Sequence, residues 1–400
     1  MDSKPLYEPF SPELLADPYP IYKKLRDEAP VSYHPKLDFW TLSRFADVMQ
    51  ALQKPRLYSS AQGIAVGMDT QMTNVFDAVI TMDPPRHTQM RTLGTRAFTP
   101  RRIAELAPRV LEVATALIDD FIEKGSCDLV GDFAAPFPTI VIAELLGVPT
   151  EDQKMFKEKS NALVNQQRLP DEVPDPARMA PILELVQYLN KVFDERRKQP
   201  REDLISALLA AEVDGQKLTQ SEVTGFALLL LIAGNETTTN LLGNGFQLMH
   251  EHPDQRARLV AMPEALPDAI EEFLRYDSPV PGLARTLTDD LDFRGHAFRS
   301  GQKVMLLYGS ANRDERQFEA PDVFDTSRKP TQHLAFGFGT HFCLGASLAR
   351  LEARIGFEQV LAHLPEYTLL EGAERNAGGL RGFAHLPAAF KAGAKARTGT

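Results

Sequence analysis

The chain has 400 residues, 43% hydrophobic and 24% charged, so it can bury a large core and shows no bias towards a fibrous or disordered class. Its formal net charge of −10 argues against general nucleic-acid binding, which needs a basic face to neutralise phosphates. Two cysteines, Cys127 and Cys343, exclude a disulfide framework and fit a reducing compartment.

The N-terminus, MDSKPLYEPF, has no basic segment followed by an apolar one, so no signal peptide is expected. Phe226 to Ala233 is read as the longest strongly apolar run, well short of the ~20 residues of a membrane span. A cytoplasmic protein with no membrane or nucleic-acid partner is therefore expected. No repeat, low-complexity block or Gly/Ser linker divides the chain. It is read as a single domain over 1–400, with flexible ends at about 1–10 and 392–400.

Residues 18–60 begin with a helix from Pro20 to Glu28 and continue into a hairpin over Val31–His34 and Phe39–Leu42. From about 100 to 260 the apolar residues recur at helical spacing, as Val110, Val113, Leu117 and Phe121 do. Cys127 lies between a helical stretch and a short apolar run and is read as a partly buried structural thiol. Pro170, Pro174 and Pro176 interrupt the periodicity, which predicts a loop over 161–181. The next helix, about 220 to 250, opens on the capping-box pattern Thr219-Gln220-Ser221-Glu222 and ends before Pro253. At ~1.5 Å per residue it spans roughly 45 Å. Its apolar stretch is hydrophobic all round, which places it centrally. Yet its middle reads Ala233-Gly234-Asn235-Glu236-Thr237-Thr238-Thr239, poor choices for a buried helix. Local rules broken inside a core helix point to a functional site. After residue 279 the chain is short-stranded, at Asp290–Phe293, Lys303–Tyr308 and near 366–392. The expected class is mainly α with a smaller β region.

Residues 333–350 read HLAFGFGTHFCLGASLAR. Gly337, Gly339 and Gly345 crowd Cys343, and glycine permits unusual backbone angles and close approach of a flat ligand. Leu344, Leu348, Leu351 and Ile355 then have helical spacing, which predicts Cys343 at a helix N-terminus, where a thiolate is favoured. Such a thiolate can ligate iron or act as a nucleophile. A structural cysteine is one alternative. A zinc site with His333 and His341 is another, although it lacks a convincing fourth ligand.

The pattern Phe336-x-x-Gly339-x-x-x-Cys343-x-Gly345 resembles the haem-binding signature of the cytochrome P450 family. Other segments resemble the family in the same order. Glu272-Phe273-Leu274-Arg275 is similar to its Glu-x-x-Arg pair, and Ala233-Gly234-Asn235-Glu236-Thr237 to its oxygen-activation motif. Asp83-Pro84-Pro85-Arg86-His87-Thr88-Gln89-Met90-Arg91 is similar to its haem-propionate helix. Ala311-Asn312-Arg313-Asp314 and Phe324-Asp325 are similar to the segment ahead of the cysteine loop. The likeness runs from about residue 12 to 390 and is greatest to the soluble bacterial branch. Arg86, where an acid is common, and Glu315, where proline is common, depart from the pattern.

The resemblance implies a cytochrome P450 fold with haem b between the long helix and the cysteine loop, and Cys343 as its iron ligand. It implies propionate contacts from His87, Arg91, Arg285 and His341, and haem packing against Phe336, Gly339, Gly345, Ala233 and Gly234, Gly234 opening a groove for oxygen. Glu236 and Thr237 would relay protons. Glu272, Arg275 and Arg328 would form a buried network holding the loop, against the alternative of an exposed helical pair. Ile232, Ala233, Val280 and Leu283 would line a pocket for a hydrophobic small molecule. Gly67–Phe76 and Asn161–Met179 would form its lid, with Gln166, Gln167 or Arg168 for a polar group. Arg96, Arg101, Arg102, Arg350 and Arg354 would form a basic face for an acidic electron donor. The implied reaction inserts one oxygen atom of O2 into the substrate. Its electrons would come from NAD(P)H through a separate reductase and a ferredoxin or flavodoxin. A peroxygenase or phenol-coupling enzyme, and a non-enzymatic haem sensor or electron carrier, are the alternatives.

Overall fold

A computed structural model describes residues 5–66, 77–152, 155, 156, 159, 176–213, 215–329, 332–376 and 378–396. The proposed lid segment Gly67–Phe76, residues 161–175 of the second lid segment with Gln166, Gln167 and Arg168, and the Arg96 side chain lie outside the described residues.

Helices dominate. The longest, Gln220–Glu251, is the central helix, and its start is a complete capping box. The Thr219 hydroxyl accepts from Glu222 N–H at 3.2 Å, while the Glu222 carboxylate accepts from Thr219 N–H at 2.9 Å. The helix is buried along most of its length between Pro136–Leu146 and the cysteine helix, Ala346–His363. Two glycines set that crossing. A Cβ at Gly245 would lie 2.3 Å from the Phe357 ring, and one at Gly356 would lie 3.0 Å from Leu242. Each helix therefore takes a large side chain of the other against its bare backbone.

The hairpin forms where expected, with Val31 opposite Leu42 and His34 opposite Phe39. Phe39–Leu42 then pairs in parallel with Lys303–Leu306, which pairs antiparallel with Leu283–Leu287, and Tyr58–Ser59 completes a five-stranded sheet. This register places Arg285 opposite Val304. A second sheet joins Tyr367–Leu369, Pro387–Phe390 and Ser126–Asp128. Cys127 sits in it opposite Ala388, and burial pushes its thiol up to about 12, as suits an unreactive structural cysteine.

Several boundaries differ from the sequence reading. A helix begins at Pro176, inside the predicted loop, because proline in the first helical turn lacks an N–H that would go unpaired anyway. The strand predicted over Lys303–Tyr308 stops at Leu306, and Tyr308 opens a short helix, Tyr308–Ala311. Among the described residues, Leu129–Leu146 is long and apolar enough by composition to cross a membrane, so Phe226–Ala233 is not the most extensive apolar stretch. Of this segment 67% is buried within the protein, as in the core of a globular fold.

Candidate functional site

The cysteine loop is shaped by two glycines. Gly337 and Gly339 both have φ of +69°, and a Cβ at Gly339 would lie 3.0 Å from the Leu52 carbonyl oxygen. Gly345 has an ordinary φ of −84°, and a Cβ there would meet no protein atom within 4 Å. The Cys343 N–H donates to the Phe336 carbonyl at 2.9 Å, closing the loop. The helix that follows begins at Ala346 with Gly345 as its N-cap, so Cys343 stands two residues ahead of the cap. Burial pushes its thiol up. The Gly345 N–H pointing at the sulfur, then the Arg91 and Arg350 guanidinium groups, pull it back down.

Four cationic or donor side chains converge on one side of this loop. His87 is buried, with no partner for its Nδ1, and its ring lies 4.2 Å from that of His341. Arg285 is buried, and Arg91 is half-buried. Burial and then the Arg91 charge lower His87 to about 4, opposed in part by Asp83. Burial, then Arg285, His87 and Arg91, lower His341 to about 3. Asp83 itself is occupied by the Ser59 hydroxyl at 2.5 Å and the Ser60 N–H at 2.9 Å. Such a set, buried donors with a surplus of positive charge and an orphaned ring nitrogen, fits a ligand carrying carboxylates. His341 is partly engaged already, by Ser60 Oγ at 3.2 Å and the Met82 carbonyl. Arg285 also donates to the Ala284 carbonyl at 2.7 Å. Ser60 and Asp83 were not assigned a role from sequence. Asp83 was visible only as the first residue of the Asp83–Arg91 segment, and Ser60 is joined to it only in the fold.

The central helix supplies another wall. Ala233 is exposed in the middle of a buried helix, and Ile232, Gly234 and Thr237 are partly so, whereas Asn235, Glu236, Thr238 and Thr239 are buried. One stripe of the helix thus faces open space. The three threonines diverge. Thr237 donates to the Ala233 carbonyl at 2.7 Å, Thr239 donates to the Ala134 carbonyl at 3.1 Å, and Thr238 donates to the Glu352 carboxyl. Glu352, on the cysteine helix, is buried, and burial holds its pKa well above the usual carboxylate range. A Cβ at Gly234 would lie 3.3 Å from the Ile142 side chain, so its bareness also serves packing against the neighbouring helix.

Glu272, Arg275 and Arg328 meet as expected, and the pair is buried, not exposed. Arg275 makes a two-pronged contact with Glu272 at 2.7 and 2.8 Å and donates to the Asn312 and Pro321 carbonyls. Arg328 reaches Glu272 at 3.3 Å. Asn312 in turn accepts from Leu334 N–H at 2.6 Å, linking this network to the loop. Val280 and Leu283 are partly buried against the core that backs the five-stranded sheet. Three residues of the predicted basic face have acidic partners: Arg101 with Glu105 in an exposed pair, Arg350 with Glu271 and Arg354 with Glu358. The two departures also find partners. Arg86 pairs with Glu222 of the capping box, and Glu315 accepts from the buried Arg26 at 3.2 Å. Among the described residues no cluster of three or more His, Cys, Asp and Glu is placed to hold a metal ion, so the zinc alternative finds no support.

The family model described as Cytochrome P450 matches residues 35–365. Cytochrome P450 109 of Bacillus spizizenii is 40% identical over 351 residues, covering 86% of this chain and 84% of that protein. The structure of CYP109Q5 from Chondromyces apiculatus superposes with a TM-score of 0.88 at 38% identity, covering 98% of this chain and 99% of that one. CYP109E1 from Bacillus megaterium, solved in complex with corticosterone, superposes with a TM-score of 0.85 at 34% identity, covering 94% and 99%.

Proposed function

The chain belongs to the cytochrome P450 family, and from that premise we propose that Cys343 holds its haem iron and that the enzyme hydroxylates, or oxidises in a related way, a hydrophobic small molecule. As a member of the family it is a haem-thiolate monooxygenase. The observation that carries the residue assignment is the convergence of Cys343, with the Gly345 N–H at its sulfur, and a carboxylate-seeking cluster of His87, Arg91, Arg285 and His341. Bound haem supplies the activation of O2 with electrons from outside, and the protein supplies orientation, protons and a dry chamber.

His87 and Arg91 lie one helical turn apart and present their donors together, and Arg285 adds a fixed charge from the sheet. The Gly345 N–H stabilises charge on the Cys343 sulfur. The Thr237 hydroxyl, on the open stripe of the central helix, releases the Ala233 carbonyl to pass a proton into the chamber, and Glu236 in the preceding position resupplies it. Ile232, Ala233, Val280 and Leu283 supply apolar lining, which suits a hydrophobic substrate. The corticosterone complex of the Bacillus megaterium relative supports that class. Electrons reach the site from NAD(P)H through a reductase and a ferredoxin or flavodoxin. The two unpaired cysteines support a reducing, cytoplasmic location.

The test is the difference spectrum of the reduced protein with and without carbon monoxide. A strongly red-shifted Soret band, lost in Cys343→Ser, is the expected result. An unchanged spectrum in Cys343→Ser overturns the ligand assignment.

A further inference from the structure

The two consecutive glutamates of the Leu266–Tyr276 helix have different work. Glu272 is wholly buried on Arg275 and Arg328. Glu271 turns the other way, is 22% exposed, and meets both ends of the cysteine loop. Its carboxylate receives Arg350 in a fork, Nε at 2.6 Å and Nη2 at 2.7 Å. The same carboxylate receives His333 Nε2 at 3.0 Å. His333 precedes Cys343 by ten residues, and Arg350 follows it by seven. The His333 ring is oriented for this contact. Its Nδ1 accepts from Ala335 N–H at 3.2 Å, which leaves Nε2 as the protonated nitrogen that donates to Glu271. Arg350, held by Glu271, lies over the Phe336 ring at 4.6 Å, and Phe336 supplies the carbonyl that receives the Cys343 N–H. One carboxylate therefore pins the start of the loop, the helix after it and the aromatic ring inside it.

We propose that Glu271 is a positioning residue, a clasp that closes the cysteine loop and keeps the Cys343 sulfur in its ligating position. This rests on the haem-thiolate reading above. Loss of the clasp frees His333 and Arg350 together, leaving the span between them to its internal turn bonds (Gly337 N–H to Leu334, Phe342 N–H to Gly339 and Cys343 N–H to Phe336) and to the Leu334–Asn312 and His341–Ser60 contacts, none of which ties it to the Leu266–Tyr276 helix. An isolated surface ion pair on one helix would do none of this, since its removal leaves a loop untouched.

The experiment compares haem-loaded wild type with Glu271→Gln, His333→Ala, Arg350→Lys and the Glu271→Gln/His333→Ala double variant. Each reduced, carbon monoxide-bound protein is held in sub-denaturing urea, and the conversion of its red-shifted Soret band to the thiol-ligated type is timed. Glu271→Gln is expected to convert roughly tenfold faster, the scale of one lost hydrogen bond to a charged group. His333→Ala should convert faster too, and the double variant no faster than Glu271→Gln, because both changes open one clasp. Deuterium uptake provides the second readout: it should rise over residues 333–345 and stay unchanged over 220–251, where a general loss of stability would raise both. If Glu271→Gln fails to load haem, Arg350→Lys, which keeps the charge and loses the fork, carries the same test. A wild type without the red-shifted band would refute the haem-thiolate reading. A wild type with it, and variants with unchanged conversion and exchange, would overturn the clasp alone.

Discussion

At the residue scale the active side depends on groups whose ordinary behaviour has been altered by position. Thr237 is bonded to its own helix at 2.7 Å, the resting arrangement of any helical threonine, and its value lies in facing open space while doing so. Thr237→Ala should leave haem loading and reduction intact but lower coupled product formation on the order of 10²-fold, the low end of what a positioned proton donor contributes. Hydrogen peroxide released per NAD(P)H consumed measures it, and full coupling would sink the proton-relay role. His87 gives a pH prediction. Its folded value is lowered to about 4 against an ordinary 6.5, so the folded state resists a proton that the unfolded state accepts. In the haem-free protein, stability is fully present above 6.5 and is lost as pH falls towards about 4. His87→Gln should flatten that slope. Unfolding midpoints between pH 7 and pH 5 decide it, and equal slopes in the two proteins would remove His87 as the source.

At the scale of elements, the crossing of the central and cysteine helices is set by Gly245 and Gly356. Gly245→Ala puts a methyl against the Phe357 ring and should cost about 1–3 kcal/mol through overpacking. Phe357→Leu in the same chain should recover part of it, as read from urea midpoints. The Glu272–Arg275 pair fixes the segment ahead of the loop from a wholly buried position. Glu272→Gln leaves Arg275 charged without its partner and should cost about 3–5 kcal/mol. The haem content of purified protein and the unfolding midpoint would both fall, while an unchanged midpoint would mean the network is not structural.

For the whole molecule, the proposed haem site draws its residues from elements distant in sequence: the Arg86–Ala97 helix, the central helix, the strand Leu283–Leu287 and the cysteine loop. A ligand that spans them stabilises the folded state by mass action. Haem at a thousandfold excess over its dissociation constant should add about 4 kcal/mol to stability. The melting temperature of haem-free protein titrated with haem tests this, and a melting temperature independent of haem would argue against a site shared by these elements.

Much of this was readable in the sequence because it is local. The capping box at Thr219 and Glu222, the end of the helix before Pro253, the two hairpin strands and the unusual backbone angles at Gly337 and Gly339 depend on neighbours in the chain. The spacing of the Cys343 loop determined the family by resemblance, and the family carried the class of reaction and the cofactor with it. What the tertiary structure alone decided is pairing across distance. It showed that Gly234 serves Ile142, that Gly345 carries no backbone strain, that Arg350 is bound to Glu271 and not free for a partner, and that Glu352 is buried against Thr238. Hydrophobic periodicity tells which face of a helix turns inward, but not which side chain of which distant helix it meets. Hydrogen bonds and ion pairs act over a few ångströms, so their partners exist only once the chain has folded.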